Sequence, residues 1–120
     1  MDKYKLTDDK GNIERLELIF KDDKSIKLSG KDSIIILKLF QDKSLRLVRE
    51  SPEIRVNATL IVGQVTKMRI YDKNQNMYVD CDVRARAVET ANWRHIKMEY
   101  DILSDEDISD TISLEIGVSE

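Results

Sequence analysis

The period of the apolar residues is the strongest constraint on this chain, and over most of its length that period is two. Alternation of this kind puts apolar side chains on one face of an extended strand and polar ones on the other, which is the signature of half-buried β structure. Ile54, Val56, Ala58, Leu60 and Val62 alternate with Arg55, Asn57, Thr59 and Ile61. Val79, Cys81, Val83, Ala85 and Ala87 alternate with Asp80, Asp82, Arg84 and Arg86. The same rhythm runs through Leu16, Leu18 and Phe20, through Ile26 and Leu28, from Ile96 to Ile102, and through Ile112, Leu114, Ile116 and Val118.

Between these runs lie turn residues. Asp8-Asp9-Lys10-Gly11-Asn12, Lys21-Asp22-Asp23-Lys24, Gln41–Ser44 and Asp72-Lys73-Asn74-Gln75-Asn76 are rich in Asp, Asn and Gly, whose side chains or freedom at positive φ favour chain reversal. Gly63 interrupts a strand pattern that resumes at Val65, and is expected to be a bulge that lets the strand bend. Ser33–Phe40 holds three adjacent isoleucines; it fits a strand buried on both faces or a core helix, and the β-branched residues favour the strand. Ser104–Asp110 alone reads as helical, with Ser104 as cap and Asp107 three residues on.

The expected fold is therefore mostly β: a small antiparallel barrel or sandwich of about eight or nine strands with one short C-terminal helical turn. At 120 residues it is expected to be one domain, with the sole proline, Pro52, at a junction between two halves.

Composition limits the function classes. Lys and Arg number 20 against 23 Asp and Glu, a net charge of −3 that provides no global field for nucleic acid or anionic lipid. The longest apolar run, Ile34 to Leu37, is far short of the roughly 20 residues of a membrane-spanning helix. Cys81 has no second cysteine to pair with and Met1–Tyr4 is not an apolar leader, so a cytoplasmic location is expected.

Catalytic and metal chemistry lack their usual residues. His95 is the single histidine and is expected to face solvent, while Cys81 is expected to pack inward. The glycines Gly11, Gly30, Gly63 and Gly117 are too scattered for a phosphate loop, and Asp101–Asp110 lacks the central glycine of a calcium loop. No enzyme activity, cofactor or metal is expected. Asp80 and Asp82 are expected to pair across strands with Lys or Arg. Aromatic residues make up only 6% of the chain, and Tyr71 and Tyr78 flank one loop that they are expected to pin, so nucleic acid is not the expected partner.

Arginine can grip carboxylate or phosphate in a bidentate way, which makes its placement the most informative polar signal. Arg46, Arg49 and Arg55 bracket Pro52, while Arg84 and Arg86 lie two residues apart on one strand. These five are the candidate anion-binding residues, and for Arg84 and Arg86 pairing with nearby carboxylates is the alternative.

The segment Arg49-Glu50-Ser51-Pro52-Glu53-Ile54-Arg55-Val56-Asn57-Ala58-Thr59-Leu60 resembles the opening of a PilZ domain, where arginines ahead of the first barrel strand clamp cyclic diguanylate. The strand patterns of Val79–Val88 and Ile96–Ile102, followed by Ser104-Asp105-Glu106-Asp107, are similar to the closing part of that family. The arginine spacing departs from the family pattern, and no Asp-Ser-Gly-like motif lies between Val56 and Val88. The resemblance thus implies a degenerate nucleotide site and action through proteins. The expectation is a non-enzymatic binding module that works through a partner protein, with a small anionic, nucleotide-like ligand such as a cyclic dinucleotide at the arginines. The alternative is a structural subunit, such as a small phage or secretion-machine component, that assembles with its own copies.

Overall fold

In a computed structural model, which describes residues 3–119, the chain is a closed antiparallel barrel of ten strands in which each strand pairs with its sequence neighbours. In chain order these are β1 (Lys3–Asp8), β2 (Ile13–Lys21), β3 (Ser25–Ser29), β4 (Ile34–Leu39), β5 (Leu45–Glu50), β6 (Ile54–Leu60), β7 (Val65–Asp72), β8 (Met77–Glu89), β9 (His95–Ser104) and β10 (Asp107–Ser119). β10 closes the ring against β1, with Tyr4 opposite Val118 and Leu6 opposite Ile116. The mostly β expectation holds, with ten strands in place of eight or nine.

Closure follows from the alternation. A barrel interior takes every second side chain of every strand, and Leu16, Ile26, Leu28, Ile35, Leu37, Leu45, Leu47, Leu60, Ile96, Met98 and Ile116 all fall on that side with almost no exposure. The outer wall carries Lys5, Arg15, Lys38, Arg46, Lys67, Arg69 and Asp80, the reverse of the apolar outward band of a transmembrane barrel. No helix among the described residues is long and apolar enough to cross a membrane.

The turns form as their side chains direct. The Asp8, Asp22, Asp42 and Asp72 carboxylates each accept a backbone N–H from at least one residue lying two to four positions further along, closing turns at the strand ends. Asn76 takes positive φ in the β7–β8 hairpin, as its type allows. Tyr71 and Tyr78 face each other across that hairpin with ring centroids 4.6 Å apart, in the pinning role expected of them.

Several local expectations fail, each for a definable reason. Ser104–Asp110 is not helical: Asp105 and Glu106 both have positive φ and make a tight hairpin between β9 and β10. The capping-box pattern was present, but no apolar helical face follows it; from Asp107 the chain is strand. The only helical element among the described residues is a 3-10 turn at Ala91–Trp93.

Gly63 is not a bulge in a continuing strand but part of the reversal between β6 and β7, at φ 80°. Ser33–Phe40 is a strand, yet only its inner residues Ile35 and Leu37 are buried, while Ile34 and Ile36 face outward. Real bulges sit elsewhere. Ile19 and Arg86 are each an extra residue in their strand, and an extra residue swaps the faces beyond it. Phe20 is therefore exposed rather than aligned with Leu16, and Val88 rather than Ala87 packs on the core.

Pro52 occupies the β5–β6 turn, across which Glu50 pairs with Arg55. Cys81 faces inward opposite Met68 but is only half-buried, because β8 there has run beyond its last pair with β9, Asp82 opposite Leu103.

Candidate functional site

Alternation sends the five candidate arginines to different places. On β5, Leu45, Leu47 and Arg49 point inward while Arg46, Val48 and Glu50 point outward. Arg46 and Arg49 thus lie on opposite sides of the barrel wall. Arg55 is outward on β6, opposite Glu50, and its Nε donates to Glu50 Oε2 at 2.6 Å. Arg84 and Arg86 lie on the far wall, on β8. No single ligand reaches all five.

Most charges on the far wall are paired; exposed Arg84, opposite Asp101 in register, makes no ion pair among the described residues. Arg69 grips Asp80 with two hydrogen bonds of 2.8 and 3.1 Å, and Lys67 pairs with Asp82. Arg86 donates to Asp101 Oδ2 at 2.8 Å, and Thr111 donates to the other oxygen at the same distance. Asp101 is outward yet almost fully covered, and the Arg86 hydrogen bond holds its carboxyl below the usual carboxylate range, helped by Thr111 and by the charge of nearby Arg84. Asp80 is likewise held low by Arg69. The expected pairing of Asp80 and Asp82 is seen, and Arg86 pairs too, though with Asp101.

The wall formed by β3, β4 and β5 differs. Its registers line up Phe20, Lys27, Ile36 and Val48 in one outward row, and Lys38 beside Arg46 in another. Phe20, Ile36 and Phe40 are exposed. Lys38 lies over the Phe40 ring, its nitrogen 5.4 Å from the centroid, and Arg46 donates weakly to Asn57 Oδ1 at 3.4 Å. Among the described residues no carboxylate comes within ion-pair distance of Lys27, Lys38 or Arg46. The result is an apolar strip with cations beside it that make no ion pair among the described residues.

Arg49 belongs to a third environment, the barrel mouth at the end where the β1–β2, β3–β4 and β5–β6 turns meet. It lines a cavity of about 340 Å³ with Glu14, Asp32, Ser33, Ser51, Ile54 and Val56. Glu14 is inward on β2 in phase with Leu16, and accepts a hydrogen bond from the buried Ser33 hydroxyl. Gly30 permits this approach, since a Cβ there would stand 2.7 Å from Glu14 Oε1 and 2.9 Å from a Leu16 methyl. Deeper in the barrel, burial pushes the Tyr100 phenol up to about 12, against a smaller downward pull from the Arg49 charge.

Elsewhere His95 is exposed, as expected, with Nε2 2.6 Å from Glu115 Oε1. Trp93 is buried and offers no base-stacking platform. No cluster of three His, Cys, Asp or Glu suited to a metal ion occurs among the described residues.

The chain matches no family model, and no significant match to it was found among curated proteins or solved structures.

Proposed function

We propose that this protein is a non-enzymatic binding module that acts through a partner protein, and that the β3–β5 wall receives an acidic segment of that partner carrying apolar side chains. The observation that carries this reading is the strip of exposed Phe20, Ile36 and Phe40 beside Lys27, Lys38 and Arg46, which lack carboxylate partners among the described residues. Apolar contact supplies affinity there, and the free cations select negative charge and steer approach.

A selection from a random peptide library against the purified protein tests it. The expected winners combine Asp or Glu with aromatic or aliphatic residues at alternate positions, as an extended segment on a sheet requires. The double variant Lys38→Glu/Arg46→Glu is expected to weaken them at least about tenfold, while Arg69→Glu on the far wall leaves them bound. Selected peptides without acidic character, or binding indifferent to the Lys38 and Arg46 variants, would reject the assignment.

The nucleotide-like ligand implied by the PilZ resemblance is checked alongside by thermal shift with cyclic diguanylate, comparing the native chain with Arg46→Ala, Arg49→Ala and Arg55→Ala. Assembly with its own copies is a second reading, favoured by one feature. The β7–β8 hairpin runs past β9 and leaves Met77, Tyr78 and Val79 exposed on a strand segment with no ladder on its second side. A concentration-dependent mass in sedimentation equilibrium that Val79→Lys removes would support that reading.

A further inference from the structure

The barrel mouth contains an arrangement that the partner-binding wall does not use. Arg49 and Glu14 carry opposite charges, both point inward, and both line the same cavity, yet they form no ion pair. The Arg49 guanidinium makes no hydrogen bond with any described residue. Opposite charges that share a recess with flexible stems normally close on each other, since their attraction grows as the site is partly desolvated. Here the scaffold keeps them apart. Glu14 is tied to Ser33, whose backbone closes the β3–β4 turn through a Gly30 N–H to Ser33 carbonyl bond of 2.8 Å. The Arg49 backbone is fixed in register between Ile35 and Val56.

We propose that this mouth binds a small zwitterion of the α-amino acid type, its carboxylate on the Arg49 guanidinium, its ammonium on Glu14 with Asp32 at the rim, and an apolar side chain against Ile54 and Val56. The guanidinium then meets a carboxylate and Glu14 an ammonium. A simple anion would satisfy Arg49 but face the two carboxylates; a simple cation would leave the guanidinium without a partner. A cavity of about 340 Å³ is near the lower end of the range for small-molecule pockets, which suits an amino acid.

The experiment compares three probes that share one side chain and differ in the charges they carry, by titration calorimetry and by amide chemical-shift mapping on the full chain. L-Leucine carries both charges, L-leucinamide keeps the ammonium alone, and N-acetyl-L-leucine keeps the carboxylate alone; alanine, valine and phenylalanine extend the zwitterion series. The expected result is saturable binding by at least one zwitterion, with shifts centred on Ser33, Arg49 and Val56, and binding at least about tenfold weaker for both singly charged forms. Arg49→Met and Glu14→Gln, each checked for a native melting profile, are expected to lose it. Binding of N-acetyl-L-leucine equal to that of leucine would overturn the zwitterion assignment in favour of an anion site, and no saturable binding by any of the four amino acids would overturn the proposal altogether. If either variant fails to fold, the three-probe comparison and shift map on the native chain decide it.

Discussion

The two ends of the barrel are built from the same alternating strands and finish in opposite ways. At the end with the β2–β3, β4–β5, β6–β7 and β8–β9 connections, the β8–β9 loop turns inward and Trp93 plugs the opening. The residue is 3% exposed and its Nε1 donates to the Asp22 carbonyl at 2.9 Å. Ala91, Asn92 and Trp93 all hold positive φ to bring the ring there, a backbone state unfavourable for a bulky residue and sustained only by the surrounding contacts. At the opposite end no aromatic plug occurs among the cavity-lining residues, and the last inward positions of β2 and β5 are Glu14 and Arg49. An inward position on a barrel strand is thus core in the middle of the strand and a different thing at the rim, where water and ligands have access.

This contrast predicts unequal costs. Trp93→Ala removes the plug and its hydrogen bond, and is expected to lower stability by about 3–5 kcal/mol in urea denaturation. A loss under about 1 kcal/mol would mean that the plug is dispensable and the two ends are alike. At the open end the tightest point is Gly30. Gly30→Ala drives a methyl into Glu14 and Leu16 and is expected to cost about 1–3 kcal/mol, with part of the loss recovered in Gly30→Ala/Glu14→Ala because the two sites are in contact. Full additivity would show that Glu14 does not occupy the mouth.

Much of the architecture was legible in the sequence because a barrel repeats one rule, and the period of two from Leu16 to Val118 states that rule many times. What was misread lies where the rule is broken locally. The bulges at Ile19 and Arg86 shift the phase by one residue, and nothing in residue type marks them. The turn at Asp105-Glu106 carries helix-start chemistry, but the strand partners that decide its conformation come from register with β9. For the site, the inward direction of Arg49 could be read from its phase with Leu45 and Leu47, and that of Glu14 from Leu16 and Leu18. Grouping Arg46 with Arg49 and Arg55 weighed closeness in sequence above phase. That Glu14 and Arg49 share a cavity depends on sheet closure and on the Gly30 turn, which no local pattern reveals.

Tyr100 reports on how dry the interior remains near the open end. Its phenol is raised from the ordinary tyrosine value to about 12, chiefly by burial. A proton-losing group whose value is higher when folded contributes stability that is complete below the unfolded value of about 10 and is lost as pH rises toward the folded one. Stability is therefore expected to decline between about pH 10 and 12, and Tyr100→Phe to flatten that decline. An equal decline in the variant would place the alkaline transition in other groups and the Tyr100 hydroxyl in contact with water.

The smallest expected effect bears most directly on the mouth. The Arg49 charge acts on Tyr100 in the direction opposite to burial, favouring the phenolate, and both side chains lie on the inner side of the wall. Arg49→Met keeps an unbranched apolar stem and removes the charge, so the Tyr100 titration, followed by phenolate absorbance against a Tyr100→Phe blank, is expected to move to still higher pH. Arg46→Met, three residues earlier and on the outer side, is the control and is expected to leave it in place. If both variants shift the titration equally, the wall does not separate the two arginines. If Arg49→Met leaves it unmoved, the guanidinium points to solvent, and the open end loses the charge that distinguishes it from the plugged one.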